Sequence, residues 1–180
     1  MQTGPINLRV IASDRIFVSF VHGFASRNGV KIVENPGQGV SQLILDFPLM
    51  WAFGQLENMD SSERSRTIVV TQRSHNAYLD TLGSYHVSAV LDRGSEDDRL
   101  LSSVFAASIG LRTYKWRSGL TYMELRITRL LLKGLDTSGI AESLRVSPKT
   151  VNAHISNILT KLGHESRTQY LAALVGQYQD

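Results

Sequence analysis

The chain of 180 residues has no cysteine, only four prolines, and no apolar run long enough to cross a membrane. The lack of cysteine excludes a disulfide-stapled fold, a zinc ribbon and a cysteine nucleophile. A membrane-spanning helix needs about 18 consecutive apolar residues, and no basic-then-apolar leader opens the sequence. Because 42% of the residues are hydrophobic, we expect an ordered cytoplasmic protein of one or two small domains.

The net charge of +3 is unevenly distributed. Residues 1–116 carry 11 cationic and 11 acidic side chains, whereas residues 117–180 carry 8 and 5. The positive excess is therefore confined to the C-terminal third. A local excess of cations is compatible with a nucleic-acid partner, provided that a binding motif lies in the same stretch.

Short apolar runs alternate with helical stretches in the first 110 residues. Such alternation predicts a five-stranded parallel sheet with helices on both faces, an α/β fold. The segment between Val33 and Leu43 contains Pro36 and is too short for a crossover helix, so the second helix is expected to be shortened or absent. The strands are predicted over 8–12, 30–33, 42–47, 67–71 and 88–91, and helices over 17–25 and about 96–109.

After residue 111 the sequence becomes basic and aromatic without clear periodicity. We interpret 112–118 as a linker, which gives an N-terminal domain over 1–111 and an all-helical domain over 119–180. Capping residues predict four helices in the second domain. Thr121 with Glu124, and Ser166 with Gln169, have the spacing of capping boxes. The helices are predicted over 121–133, 137–144, 147–163 and 166–177.

The third of these helices separates two kinds of side chain. At 100° per residue, one stripe is apolar, and the opposite face is small, polar and basic with no acidic residue between Lys149 and Lys161. A solvated helix face would show the same pattern. A helix that lies in a major groove needs small side chains for close approach, amides and hydroxyls for base edges, and cations for phosphates. The apolar stripe contains Val151, Ile155, Ile158, Leu159 and Leu162, and the polar face Lys149, Thr150, Asn152, Ala153, Ser156, Asn157, Thr160 and Lys161.

A short helix and a tight turn precede this helix, which is the arrangement of a helix-turn-helix motif. The stretch from Leu120 to Leu174 resembles the LuxR/GerE-type helix-turn-helix domain of bacterial transcription regulators. The residues that carry the resemblance are Leu120, Thr121, Glu124, Gly134, Ile140, Ala141, Leu144, Ser147, Lys149, Thr150, Val151, His154, Ile158, Lys161, Leu162, Gly163, Arg167 and Thr168.

The resemblance implies a recognition helix from Ser147 to Leu162. It places Asn152, Ala153 and Ser156, with Asn157 beside them, toward base edges. Lys149, Thr150 and Lys161 are placed toward the DNA backbone. The last helix of such domains also dimerises, which implies a homodimer whose contact residues are Leu171, Leu174, Val175 and Tyr178. The alternative is that this stripe belongs entirely to the domain core.

The N-terminal domain resembles, in architecture, the receiver domain of response regulators. Receivers hold Mg²⁺ on an acidic pair, phosphorylate an aspartate, and use a Thr or Ser and a lysine to bind the phosphoryl group. Asp46 falls at the phosphoacceptor position and Thr71 at the hydroxyl position, but Ser13-Asp14 supplies one carboxylate. Asp92 or Arg93 occupies the lysine position.

We therefore predict a degenerate receiver-like domain in which Asp46 is at most a vestigial phosphoacceptor. No metal, cofactor or catalytic residue is expected, and the protein is not expected to be an enzyme. Three alternatives remain open: phosphorylation of Asp46, dependence on a partner regulator, and sensing of a small molecule by the N-terminal domain. The aromatic residues that would line such a ligand pocket are Trp51, Phe53, Tyr78, Tyr85 and Trp116.

Overall fold

The computed structural model describes residues 5–37, 39–92, 94–95 and 97–176. These residues form two compact units. One contains the chain up to Ser74 together with Tyr85–Lys115, and the other contains His75–Ser84 and the chain from Trp116 onward. We refer to them as the sheet unit and the helical unit.

The sheet unit is built on a five-stranded parallel sheet with the strand order β2-β1-β3-β4-β5. All six residues of the central strand β3 are buried, as expected for a sheet covered on both faces. The α/β prediction is confirmed. The strands are β1 Ile6–Ile11, β2 Val30–Ile32, β3 Ser41–Asp46, β4 Thr67–Thr71 and β5 Ala89–Leu91.

Helices α1 (Arg15–Arg27) and α5 (Asp97–Ser108) contribute to one apolar core against the sheet. Asp14 begins α1 by accepting a hydrogen bond from the Phe17 amide at 2.9 Å. The connection between β2 and β3 contains no helix in its described residues, in agreement with the prediction for this short segment. The buried members of this core are Leu8, Val21, Phe24, Ala25, Val30, Leu43, Ile68, Ala89, Leu91, Leu100, Val104 and Ala107.

The sequence reasoning did not place three short helices. They are α2 (Trp51–Glu57), α3 (Ser61–Ser65) and α4 (Asn76–Gly83). Asp60 and Glu63 form a complete capping box at the start of α3, a signal that would have located this helix.

The boundary between the units differs from the predicted linker. The amides of Thr113 and Tyr114 donate to the Ser88 carbonyl at 2.8 and 3.1 Å, so the first part of 112–118 belongs to the sheet unit. Trp116 begins the second pass of the chain through the helical unit, and α4 belongs to this unit too. Long-range packing sets this division, which a reading along the chain cannot detect.

The helical unit contains the four predicted C-terminal helices. Thr121 and Glu124 form the expected reciprocal capping box. The predicted box at Ser166 is incomplete: Ser166 caps through the Gln169 amide, but the Gln169 side chain accepts from the Glu165 amide at 2.7 Å. Of the last helix, predicted to continue to about 177, the part beyond Gly176 lies outside the described residues. The helices are α6 Tyr122–Leu132, α7 Thr137–Leu144, α8 Pro148–Leu162 and α9 Arg167–Val175.

Candidate nucleic-acid interface

Helix α8 presents one polar, exposed face. Val151 and Ile158, on the apolar stripe, are fully buried and anchor the helix. All seven residues predicted to contact DNA are exposed, and they lie together on the opposite side of the same helix. They are Lys149, Thr150, Asn152, Ala153, Ser156, Asn157 and Lys161.

Local chemistry fixes both ends of α8. The Ser147 hydroxyl accepts from the Thr150 amide at 3.0 Å, and Pro148 occupies the first turn, where its missing amide hydrogen costs nothing. Gly163 ends the helix with a φ of 71°, a left-handed conformation that glycine adopts without strain. The Thr150 hydroxyl also lies 2.8 Å from the Ser147 hydroxyl, so it takes part in the cap.

Two predicted contact residues interact with other helices of the unit. The Thr137 hydroxyl donates to Asn152 Oδ1 over 3.4 Å, a long hydrogen bond between α7 and α8. Lys161 Nζ lies 2.7 Å from Glu124 Oε2, in an ion pair whose side chains are 39% and 3% exposed respectively. Sequence reasoning assigned Lys161 to the DNA backbone only, so its role in holding α8 against α6 was missed.

The Glu124 carboxylate is ionised in a buried place. Burial alone would raise its pKa, but hydrogen bonds from Lys161 and Thr121 outweigh burial and lower the pKa of Glu124 below its usual value near 4.5. The Thr121 amide and Lys161 Nζ both lie 2.7 Å from the same carboxylate oxygen. The first turn of α6 is therefore next to the last turn of α8.

A second buried carboxylate, Asp80, joins α4 to the beginning of the C-terminal helices. Asp80 Oδ2 accepts from the amides of Arg117 and Ser118 at 2.9 and 2.7 Å and from the Ser118 hydroxyl at 2.6 Å. Oδ1 accepts from the Arg117 amide at 3.0 Å. Helix α4 also packs against α6. The sequence signal for this contact was an acidic residue inside the apolar stretch Ala77–Leu82.

Aromatic and imidazole rings meet elsewhere in the helical unit. The rings of His75 and His164 stack with centroids 6.3 Å apart, and the ring of His164 lies 5.5 Å from that of Tyr170. The Tyr170 hydroxyl lies 2.8 Å from the Thr128 hydroxyl, and burial raises the pKa of Tyr170. Tyr170 is thus a core residue.

The residues predicted for dimerisation divide into two groups. Leu174 is fully buried, so its side chain packs inside the monomer and is not available to a second chain. Leu171 is half-buried and Val175 is exposed. Tyr178 lies outside the described residues. Of the residues predicted for dimerisation, Leu171 and Val175 are the two in the described part of the chain that are still accessible.

The receiver-like residues in the sheet unit are engaged within the protein. Asp46 is buried, and its two oxygens accept from the Ala52 amide at 3.0 Å and the Thr71 hydroxyl at 3.1 Å. Asp14 caps α1, and Asp92 accepts from the Ser95 hydroxyl at 3.1 Å. Arg93, the other candidate for the lysine position, lies outside the described residues.

Among the described residues, no group of three or more His, Asp or Glu side chains is placed to hold a metal ion. Within the same residues, none of the helices has both the length and the hydropathy to cross a membrane. Phe53, Tyr78 and Tyr85 are buried, so these three rings of the postulated ligand pocket are core residues. Trp51 is half-buried and Trp116 is exposed.

Comparison with known proteins defines the class of the helical unit. Residues 118–173 match the sequence profile of the bacterial regulatory proteins of the luxR family. Over 54 residues the chain is 44% identical to a putative HTH-type transcriptional regulator of Mycobacterium tuberculosis, which is 30% of this chain and 6% of that protein. Over 50 residues it is 44% identical to the response regulator protein VraR of Staphylococcus aureus, which is 28% of this chain and 24% of VraR.

The whole chain has a structural counterpart. The response regulator RcsB of Salmonella enterica serovar Typhimurium, solved bound to the promoter rprA in the presence of phosphomimetic BeF3⁻, aligns over 94% of this chain and 98% of RcsB. The TM-score is 0.59 at 19% sequence identity, a likeness of fold. Residues 118–173 are thus a LuxR-type helix-turn-helix domain, and the five-stranded sheet has a receiver-like fold. The matched segment is a small part of both curated relatives.

Proposed function

We propose that this protein is a sequence-specific DNA-binding transcription regulator that acts as a homodimer and is not switched by aspartyl phosphorylation. The observation that carries the proposal is the exposed face of α8, which collects amides, hydroxyls and cations and contains no acidic side chain. RcsB, which shares the fold, was solved bound to promoter DNA.

Each side chain on this face has a chemical role in the proposal. Asn152 and Asn157 carry amides that can pair with base edges, and Ala153 and Ser156 permit close approach to the groove. In this proposal Lys149 and Thr150 contact phosphates, as cationic and hydroxyl side chains do in protein–DNA complexes. The ammonium group of Lys161 already forms an ion pair with Glu124. We therefore expect Lys161 to contribute less to phosphate binding than Lys149.

Selection of duplexes from a random pool by the purified full-length chain, at stated salt, provides the test. Asn152→Ala should cost about 1–3 kcal/mol on the selected duplex and relax the preference at one position. Lys149→Ala should weaken all duplexes alike and reduce the salt slope by about one unit. Asn35→Ala, at an exposed amide of the sheet unit, is the matched control. Equal loss on selected and random DNA in Asn152→Ala would refute base recognition by this amide.

The independence from phosphorylation is supported by the surroundings of Asp46. A phosphoacceptor must present a carboxylate oxygen to the donor and to a metal ion, but both oxygens of Asp46 are buried and hydrogen-bonded. Incubation with acetyl phosphate and Mg²⁺ should leave the intact mass unchanged, and Asp46→Asn should bind the selected duplex as the wild type does. A phosphoryl adduct that disappears in Asp46→Asn would instead identify a phosphorylation-switched regulator.

The homodimer is supported by information content and by exposed apolar side chains. One recognition helix reads too few base pairs to find a single site in a genome, so two copies on adjacent half-sites are expected. Val175 is exposed on α9, and Ile16 and Phe20 are exposed on α1, with 82% of Ile16 accessible. These apolar surfaces are available to a second chain. Sedimentation of the protein–duplex complex should give two proteins per selected duplex, and Val175→Asp should reduce cooperative binding. One protein per duplex would exclude the dimer.

A further inference from the structure

An exposed aromatic pair lies at the entrance to the C-terminal helices of the helical unit. The rings of Trp116 and Tyr122 stack with centroids 6.3 Å apart and planes within 9° of parallel. They are 39% and 44% exposed, and the stacking holds the two rings together at the surface. Two large rings that stay accessible together are typical of a binding surface.

The pair lies near the end of the α8 face. Tyr122 directly follows Thr121, whose amide shares one Glu124 oxygen with the ammonium of Lys161. Lys161 is an edge residue of the α8 face and lies in the last turn of α8. The first turn of α6, which begins at Tyr122 with Trp116 stacked on it, is therefore next to the last turn of the proposed recognition helix.

Charge favours DNA over an acidic or neutral surface as the occupant. The segment between Asp98 and Glu124 has no acidic side chain. Asp80 and Glu124, two carboxylates that contact this part of the chain, are both buried and hydrogen-bonded, so neither presents its charge at the surface. Arg117, next to Trp116, is exposed. The indole N–H and the phenol O–H are donors of the kind that proteins direct at phosphate oxygens, and the ring faces can cover deoxyribose.

We propose that Trp116 and Tyr122, with Arg117, bind the sugar–phosphate backbone that borders the groove occupied by α8. This inference rests on the proposed DNA-binding function and extends it. A helix in the major groove has a backbone on each side. The flank of α8 that carries Lys161 faces one of these backbones, and the aromatic pair continues that flank. The contact fixes the register of α8 along the groove without reading sequence.

Trp116 reports on its own contact. The protein has two tryptophans, so Trp51→Phe leaves Trp116 as the single tryptophan, which can be excited selectively above the absorption of tyrosine. In this background, a saturating amount of the selected duplex should protect Trp116 from quenching by acrylamide. Trp116→Ala and Tyr122→Ala should each weaken binding by about tenfold, while Tyr122→Phe separates the hydroxyl from the ring. Thermal unfolding followed by circular dichroism verifies that the variants fold.

Duplexes with single neutral methylphosphonate linkages locate the contact. Neutralising one or two phosphates at the border of the half-site should weaken DNA binding by the wild type. The same substitution should not weaken binding by Trp116→Ala, because this variant has already lost the interaction. Unchanged quenching of Trp116 by acrylamide on DNA binding, or identical phosphate sensitivity in wild type and Trp116→Ala, would overturn the inference and leave the surface to a protein partner. If binding nevertheless stays sensitive to Asn152→Ala, the proposed function survives and only this inference fails. If the wild type selects no duplex at all, both fail.

Discussion

Substitution of Asp80 by asparagine should destabilise the helical unit strongly, although the two side chains have the same shape. The Asp80 carboxylate accepts from the amides of Arg117 and Ser118 and from the Ser118 hydroxyl. Only one of the two terminal atoms of asparagine can accept a hydrogen bond. With its oxygen at the Oδ2 position, asparagine still accepts from both amides and from the hydroxyl, but as a neutral acceptor. Its NH2 group then faces the Arg117 amide, which loses the second contact that it makes with Oδ1 at 3.0 Å.

The expected cost follows from the loss of the charge. Hydrogen bonds to a charged acceptor are worth about 1.5–3 kcal/mol each, and those between neutral groups about 0.5–1.5 kcal/mol. Because the bonds from the Arg117 amide, the Ser118 amide and the Ser118 hydroxyl all weaken in this way, we expect Asp80→Asn to lower the free energy of unfolding by about 2–3 kcal/mol. Ser118→Ala removes the hydroxyl bond to Asp80 and also the hydroxyl oxygen that accepts from the Leu120 amide at 3.3 Å, so it should cost about 1–2 kcal/mol.

Urea unfolding in the Trp51→Phe background measures this effect, because Trp116 then reports on the helical unit. The matched control is Asp136→Asn. Asp136 caps α7 by accepting from the Gly139 amide at 2.8 Å, and asparagine caps equally well. Ordinary surface changes alter the free energy of unfolding by up to about 0.5 kcal/mol. If Asp80→Asn and Asp136→Asn differed by no more than this, the Asp80 contacts would not hold the unit together.

Three further predictions concern the interior of the helical unit. Lys161→Met removes the cation that pairs with the buried Glu124 carboxylate. It should lower the free energy of unfolding by about 1–3 kcal/mol, which is less than for a fully buried pair because the lysine is partly exposed. Lys149→Met is the control, and an equal loss of stability in the two variants would contradict a structural role of the ion pair. The pKa of Glu124 is lowered by folding, so its stabilising contribution is present above pH 4.5 and is lost as the pH falls through the folded pKa. In denaturant titrations, the free energy of unfolding should therefore fall less with acid in Glu124→Gln than in the wild type. Leu174→Ala should cost about 2–5 kcal/mol and Val175→Ala less than 1 kcal/mol, whereas the reverse order in thermal unfolding would place Val175 in the core.

The sequence predicts well whatever depends on neighbours along the chain. Ser147, Pro148 and Gly163 fix α8 through bonds that span at most four residues, so its bounds could be derived from capping rules alone. The β4 strand over Thr67–Thr71 was likewise found from its apolar composition. The predicted DNA-contacting face is also a property of one helix, since spacing along α8 determines which side chains share a side.

Features that depend on distant partners could not be derived in the same way. Asp80 accepts hydrogen bonds from Arg117 and Ser118, which are 37 and 38 residues further along the chain, and the sequence around Asp80 gives no indication of these partners. Leu171 and Leu174 fit the same helical stripe in the sequence, but only packing against other helices decides that Leu174 is buried. The ion pair of Lys161 with Glu124 could not be derived either, because the two residues are 37 positions apart.

The position of α4 in the chain limits where this protein can be divided into fragments or recombined with other domains. In chain order α4 lies between β4 and β5, yet it packs with the helices that follow residue 116. The backbone consequently passes between the two units three times, after Ser74, Ser84 and Lys115. A protease cut or gene fusion at residue 116 would release a fragment that has the luxR-type helices but lacks α4 and the Asp80 carboxylate, and it would expose the part of α6 that α4 covers. The chain is therefore not two exchangeable modules joined by a tether, because its helical unit is encoded in two separate pieces.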